Sequence, residues 1–234
     1  MIICKSRNFL FCRGLKQAGT SVKAALSTLC NAEDTISHYM PSEEAILKSK
    51  GYIIHQHNIA RDGKTVLIPS YRHWSLVDIY RERPRYCKLD VVGLCRNPYD
   101  KLYSFGKWFL FCQHYKRHGE KVFKEISVNK IRKVINSFAE NVYRRTDALA
   151  SYDYLINLKT KGQVYLLRFE NLEYDLSEFF KRFGLSLPKL FHFKDTTNVC
   201  TLPWNEVLTS EEIALANRIF RKDFEIFGYE RVSP

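Results

Sequence analysis

Short apolar runs alternate with segments of helical period along this chain. Phe9 to Cys12 is unbroken apolar, Leu89 to Cys95 is apolar apart from Asp90, and Gln163 to Arg168 carries a similar run. Such runs predict strands of a parallel sheet covered on both faces. Gly51 to Ile54 reads as a further short strand, ending in His55-Gln56-His57. Between the strands, Val22 to Leu29 is amphipathic, and Ser42-Glu43-Glu44 opens a second helical segment. Pro98 suits the first turn of a helix continuing to about Cys112. Val128, Ile131, Val134, Ile135 and Phe138 mark a helix with a basic outer face. Glu173 to Phe183 forms another, stopped by Gly184; Thr209 to Glu212 opens the last, which runs to Phe227-Gly228. The stretch 62–88 is irregular, with a helical turn or two around Trp74 to Tyr80, and 113–125 and 194–204 read as loops. Strands alternating with helices predict an α/β fold: a central parallel sheet flanked by helices, in one domain over 1–234.

Composition narrows the class. A chain of 234 residues with 45% hydrophobic content can bury one good core and is not disordered. No run reaches the ~20 apolar residues a membrane span needs. Lys5, Arg7 and Arg13 interrupt the first apolar stretch, which argues against a signal peptide. The expected location is cytoplasmic, or lumenal if the chain is a trimmed catalytic domain. Seven irregularly spaced cysteines suit reduced thiols, and without any Cys-x-x-Cys pair no structural zinc is expected.

The net charge of +12 is unevenly placed. Residues 1–30 hold five Lys/Arg and no acid, and 96–133 hold ten Lys/Arg against three acids. The rest of the chain is close to neutral. Two solvated basic faces would look like this, as would a shared anionic ligand or a polyanion lying across both.

The first basic block contains a turn with candidate chemistry. Gly14 and Gly19 bracket Lys16, and Thr20 and Ser21 open the helix that follows. A helix start after a glycine turn offers free N–H groups and the positive end of the helix dipole to a phosphate. It is not a Walker A loop, in which the lysine follows the second glycine. An ordinary strand–helix connection could show the same residues. In the second block, Arg96 stands at the carboxyl end of the Leu89–Cys95 strand, where open α/β sheets bind ligands. Ser104 follows two helical turns later. Arg96 could clamp a phosphate or simply pair with Asp100.

With both turns in view, the chain resembles the PAPS-dependent sulfotransferases, particularly the carbohydrate enzymes of the chondroitin, dermatan and heparan type. Lys16-Gln17-Ala18-Gly19-Thr20-Ser21 is similar to their 5′-phosphosulfate loop. Cys95-Arg96-Asn97-Pro98-Tyr99-Asp100-Lys101-Leu102-Tyr103-Ser104 resembles their 3′-phosphate motif. Leu167 to Leu172 and Lys222 to Tyr229 resemble two further family motifs, and all four fall in the family's order. The resemblance implies a P-loop-like three-layer sandwich and PAPS as sulfuryl donor. It also implies 3′-phosphoadenosine 5′-phosphate (PAP) as product, no metal, and a glycan or other hydroxyl-bearing acceptor. Nucleic acid is not an expected partner.

The same resemblance implies roles. Lys16 would neutralise the leaving oxygen, with Ala18, Gly19, Thr20 and Ser21 holding the 5′-phosphate and Arg96 and Ser104 the 3′-phosphate. His57, in Gln56-His57-Asn58-Ile59-Ala60-Arg61, would be the general base, with His55 and His73 as alternatives. The segment departs from the family pattern at Gln56, usually Lys, and lacks the Thr that follows. Thr146-Asp147 stands where the family carries Gln, which bears on the acceptor. Arg168, Glu170, Asp223 and Tyr229 read as structural, and Lys194 or Asn198 as possible nucleotide contacts. Two other classes compete: a P-loop nucleotide kinase or phosphotransferase, and a non-enzymatic basic polyanion-binding domain.

Overall fold

The structure, a computed structural model, describes residues 1–37, 39, 41–49, 59–61, 64–66, 75–118, 126–142, 150–156, 159–191, 193 and 199–234. The chain folds as two compact units: Met1–Cys95 with Asp153–Phe193, and Arg96–Tyr152 with Lys194–Pro234.

The first unit holds a mixed sheet flanked by helices. Its strands are β1 (Ile2–Cys4), β2 (Phe9–Phe11), β3 (Thr35–Ile36), β6 (Asp90–Cys95) and β7 (Val164–Arg168), in the order β3-β1-β2-β6-β7. β2, β6 and β7 are parallel neighbours, as the apolar runs predict. β1 runs antiparallel to both β2 and β3, so the sheet is mixed and not wholly parallel. Ile2-Ile3-Cys4 is too short to register as a strand by pattern, and pairing with β2 makes it one. β4 (Ile59–Arg61) and β5 (Lys64–Val66) form a separate antiparallel pair, β5 inside the stretch 62–88 that reads as irregular and β4 just ahead of it. The expected strand at 51–54 lies outside the described residues.

Alternation across the strands explains the unbroken apolar runs. Phe9 and Phe11 share one face with Val92, Leu94 and Leu167. That face packs on Val22 and Leu26 of α1 (Gly19–Ser27) and on Leu176, Phe179 and Phe180 of α7 (Leu172–Lys181). Leu10 and Val91, on the other face, are buried just as fully. There β6 carries Gly93, where a Cβ would fall 2.4 Å from a methyl of Leu155 in α6 (Ser151–Leu155). α2 (Pro41–Ser49) and α3 (Leu76–Glu82) complete the unit, α3 opening with a capping box between Ser75 and Asp78.

The second unit is helical. α4 (Pro98–His118) packs on α5 (Val128–Val142), whose Ile131 and Ile135 are buried. α4 extends past Cys112 because no proline interrupts it and Gln113, Lys116 and Arg117 are good helix formers. α8 (Trp204–Val207), α9 (Ser210–Ile219) and α10 (Arg221–Phe227) follow. Glu212 accepts the Thr209 backbone N–H at 2.8 Å, so the predicted capping box is present. The single helix expected from Thr209 to Phe227 is instead two, broken at the fully buried Phe220. Ala216, Phe220, Phe224 and Phe227 keep helical spacing across the break, which hides it from pattern reading. Among the described residues, no helix is long and apolar enough to cross a membrane.

Candidate functional site

The turn between β2 and α1 is built from both backbone and buried side chains. Cys12 N–H reaches Val92 O at 3.2 Å, so pairing with β6 persists up to the turn. Lys16 and Ala18 both adopt a left-handed φ of 58°, and Gln17 between them does not. Ala18 is the N-cap of α1; its carbonyl accepts Val22 N–H at 3.1 Å, and it supplies no side-chain cap. The first N–H groups of α1 therefore receive nothing from their capping residue.

Gln17 is buried and folds back, its Oε1 accepting Gly14 N–H at 3.1 Å. Arg13, only 4% exposed, runs beneath the helix start and donates from Nη1 to Thr20 Oγ1 at 2.8 Å. Gly19 lets it pass: a Cβ there would sit 2.8 Å from both Cβ and Cδ of Arg13. This glycine answers a close approach, while the left-handed conformations fall on Lys16 and Ala18.

Thr20 Oγ1 also lies 3.5 Å from Oε1 of the buried Glu43. Ser21 Oγ accepts Phe193 N–H at 3.2 Å. Both predicted hydroxyls thus bond inside the unit. An anion at this turn would meet chiefly backbone N–H groups and the half-buried Lys16. Arg13 and Glu43 were not legible as partners of the turn; a lone arginine closing an apolar strand was the available signal.

At the start of α4, Asn97 Oδ1 accepts the backbone N–H of Tyr99 at 3.0 Å and of Asp100 at 3.3 Å, capping the helix. Arg96 donates from Nε to Asp100 Oδ2 at 2.7 Å and from Nη1 to Ser104 Oγ at 3.3 Å. Of the two sequence readings of Arg96, the pairing with Asp100 is a contact of the structure. The predicted pair Arg96–Ser104 is in contact, and the carboxylate of Asp100 holds the Nε edge of the guanidinium.

The remaining predicted residues divide cleanly. Arg168 N–H bonds to Asp175 Oδ2 at 2.7 Å, a tie between β7 and α7. Asp223 is fully buried and accepts the backbone N–H groups of Ser151 and Tyr152, each at 2.8 Å. Its cationic partner is the equally buried Lys101, which lies inside the Arg96–Ser104 motif. His55, His57 and His73, with Thr146, Asp147, Lys194 and Asn198, lie outside the described residues.

The described site residues thus form two groups, Lys16 with Ala18 to Ser21 in the first unit and Arg96 with Ser104 in the second. Comparison with family models, with curated proteins and with solved structures finds no match for this chain.

Proposed function

We propose that this chain is a PAPS-dependent sulfotransferase with a P-loop-like three-layer fold, acting on a hydroxyl of a carbohydrate. The observation that carries the reading is the pair of left-handed, non-glycine residues Lys16 and Ala18 ahead of a helix whose N-cap residue supplies no side-chain bond. Each such residue costs about 1–3 kcal/mol and clusters at ligand clamps. Left-handed residues alternating with right-handed ones turn successive N–H groups into a concavity that suits an anion. The free state of all seven cysteines fits a reducing, cytoplasmic setting.

When bound, PAPS supplies the sulfuryl group and departs as PAP. The residues present fit such a ligand: N–H groups and a lysine at one turn, an arginine touching a serine at the other. Backbone N–H groups of residues 18–21 hold the 5′-phosphate, with Ser21 keeping its own proton to donate. Lys16 neutralises charge growing on the leaving oxygen. Arg96 and Ser104 take the 3′-phosphate, through the Nη side that faces Ser104. His57 accepts the proton of the attacking hydroxyl. No residue in this scheme needs a divalent cation.

A thermal-shift panel of PAP, PAPS, ADP and ATP, each with and without a chelator, tests the reading. PAP and PAPS should raise Tm most, indifferent to chelator. A shift confined to ATP with Mg²⁺ would replace it with a phosphotransferase. No nucleotide shift, with polyanion binding that falls steeply with salt, would replace it with a polyanion-binding domain.

A further inference from the structure

A second cluster of chemistry-bearing groups lies in the first unit, away from the Lys16 turn. Cys4 is the last residue of β1 and pairs with Phe9, the first residue of β2. The Lys16 turn follows the other end of β2. Cys30 stands just past α1, its N–H bonded to Ser27 O at 3.2 Å, and Asp34 closes the next turn ahead of β3. One ligand atom from each of Cys4, Cys30 and Asp34 lies within 4.8 Å of the other two. Cys4 Sγ is 3.3 Å from Asp34 Oδ2.

We propose that Cys4, Cys30 and Asp34 bind a thiophilic divalent cation, Zn²⁺ by preference, that staples the β1–β2 hairpin to the end of α1. Metal–sulfur and metal–oxygen bonds of about 2.3 and 2.0–2.2 Å place tetrahedral ligand atoms roughly 3.5–3.8 Å apart. Cys4 Sγ and Asp34 Oδ2 are already near that spacing, and the three ligand atoms together lie within 4.8 Å of one another. Two thiolates with one carboxylate favour zinc over the hard cations magnesium and calcium.

The surrounding bonds fix the carboxylate in place. Asp34 is fully buried; its Oδ1 accepts Lys5 N–H at 2.7 Å and Ser6 N–H at 3.1 Å. Its Oδ2 accepts Asn31 N–H at 2.9 Å and the Ser6 hydroxyl at 2.5 Å. Outer contacts of this kind orient metal ligands. On binding, the two S–H groups release their protons to solvent as two metal–sulfur bonds form, and the Ser6 hydroxyl turns aside or takes the fourth position. Otherwise water fills it from the side of Cys30, which is half-exposed while Cys4 is buried. The thiols also touch carbonyls, Cys4 that of Leu29 at 3.9 Å and Cys30 that of Leu26 at 3.6 Å. The cluster is assembled from three separate segments, so no Cys-x-x-Cys signature announces it.

The test is a titration of the full chain, stripped of metal and kept reduced by a phosphine, with Co²⁺ alone. One equivalent should bring a near-ultraviolet sulfur-to-cobalt band and visible bands of tetrahedral cobalt, all erased by Zn²⁺. Zn²⁺ alone should raise Tm. Cys30→Ser should lose about half of the sulfur band and at least ~10-fold in cobalt affinity. It is preferred to Asp34→Asn, which endangers the hairpin itself. A Cys87→Ser/Cys112→Ser double variant should titrate like wild type. No sulfur band at one equivalent, an unchanged titration of Cys30→Ser, or loss of the band in the double variant would overturn the proposal.

Discussion

The Nζ of Lys101 lies 3.8 Å from Oδ2 of Asp223, and neither side chain exposes any surface. Lys101 also donates to Ser151 Oγ at 3.1 Å, so the pair ties α4 to α10 and to the first residue of α6. Removing one partner of a buried ion pair leaves an uncompensated charge and typically costs about 3–5 kcal/mol. Lys101→Met should therefore lower urea stability by that amount. Lys222→Met, on an exposed neighbour, should stay within ~0.5 kcal/mol. Equal small effects would mean that the buried pair carries no special weight.

Ala18 and Gly19 should respond in opposite directions. Ala18→Gly relieves a left-handed alanine, worth roughly 1–2 kcal/mol, against about 0.4–1 kcal/mol of added unfolded-state entropy. It should be neutral or stabilising by up to ~1.6 kcal/mol. Gly19→Ala puts a methyl against Arg13 and should cost about 1–3 kcal/mol, the range for overpacking. Denaturation curves for the two variants check both. A destabilised Ala18→Gly would contradict the turn geometry described.

Arg96 tests the 3′-phosphate role by difference. Arg96→Ala should weaken PAP binding by about 1.5–3 kcal/mol, the range for a charged hydrogen bond, and leave AMP nearly unchanged. Calorimetric titration with both nucleotides measures it. Equal losses would reduce Arg96 to the partner of Asp100 and Ser104 already visible.

Turnover separates Lys16 from His57. Lys16→Ala should abolish sulfuryl transfer while PAP still binds measurably, since Arg96 and Ser104 remain. His57→Ala should lower turnover by ~10²–10⁴-fold, the usual contribution of a positioned base, with PAP affinity nearly intact. One glycan acceptor and one PAP titration serve both variants. Near wild-type turnover of His57→Ala, with loss in His55→Ala or His73→Ala, would move the base.

The Cys12 thiol predicts an alkaline limit. Burial at the end of β2 pushes its pKa up from 9.0 to about 12. The native state keeps a proton that the unfolded chain sheds above pH 9. The stabilisation is therefore complete below pH 9 and declines as pH rises from there toward 12. Between pH 8 and 10.5, wild type should lose more unfolding free energy than Cys12→Ala. Parallel pH profiles for the two would rule this thiol out as the cause.

Local signals settled more of the architecture than of the site. The apolar runs at Phe9–Cys12 and Leu89–Cys95 sufficed for β2 and β6, because a strand covered on both faces has no polar side to confuse the pattern. The motif Arg96 to Ser104 placed its two ends about two helical turns apart, and the long Arg96 side chain spans that distance to reach the Ser104 hydroxyl. Tertiary structure decided the rest. The reversal of β1 depends on which neighbour it pairs with, which three residues cannot encode locally. The break at Phe220 escapes notice because Phe224 and Phe227 keep the helical period beyond it. Arg13 meets Thr20 only because Gly19 lacks a side chain, and Lys101 finds Asp223 across 122 positions of chain. Cys4, Cys30 and Asp34 converge from a strand, a helix end and a turn. Periodicity records how a segment meets water and core, and it holds no information about which buried polar group will stand opposite another.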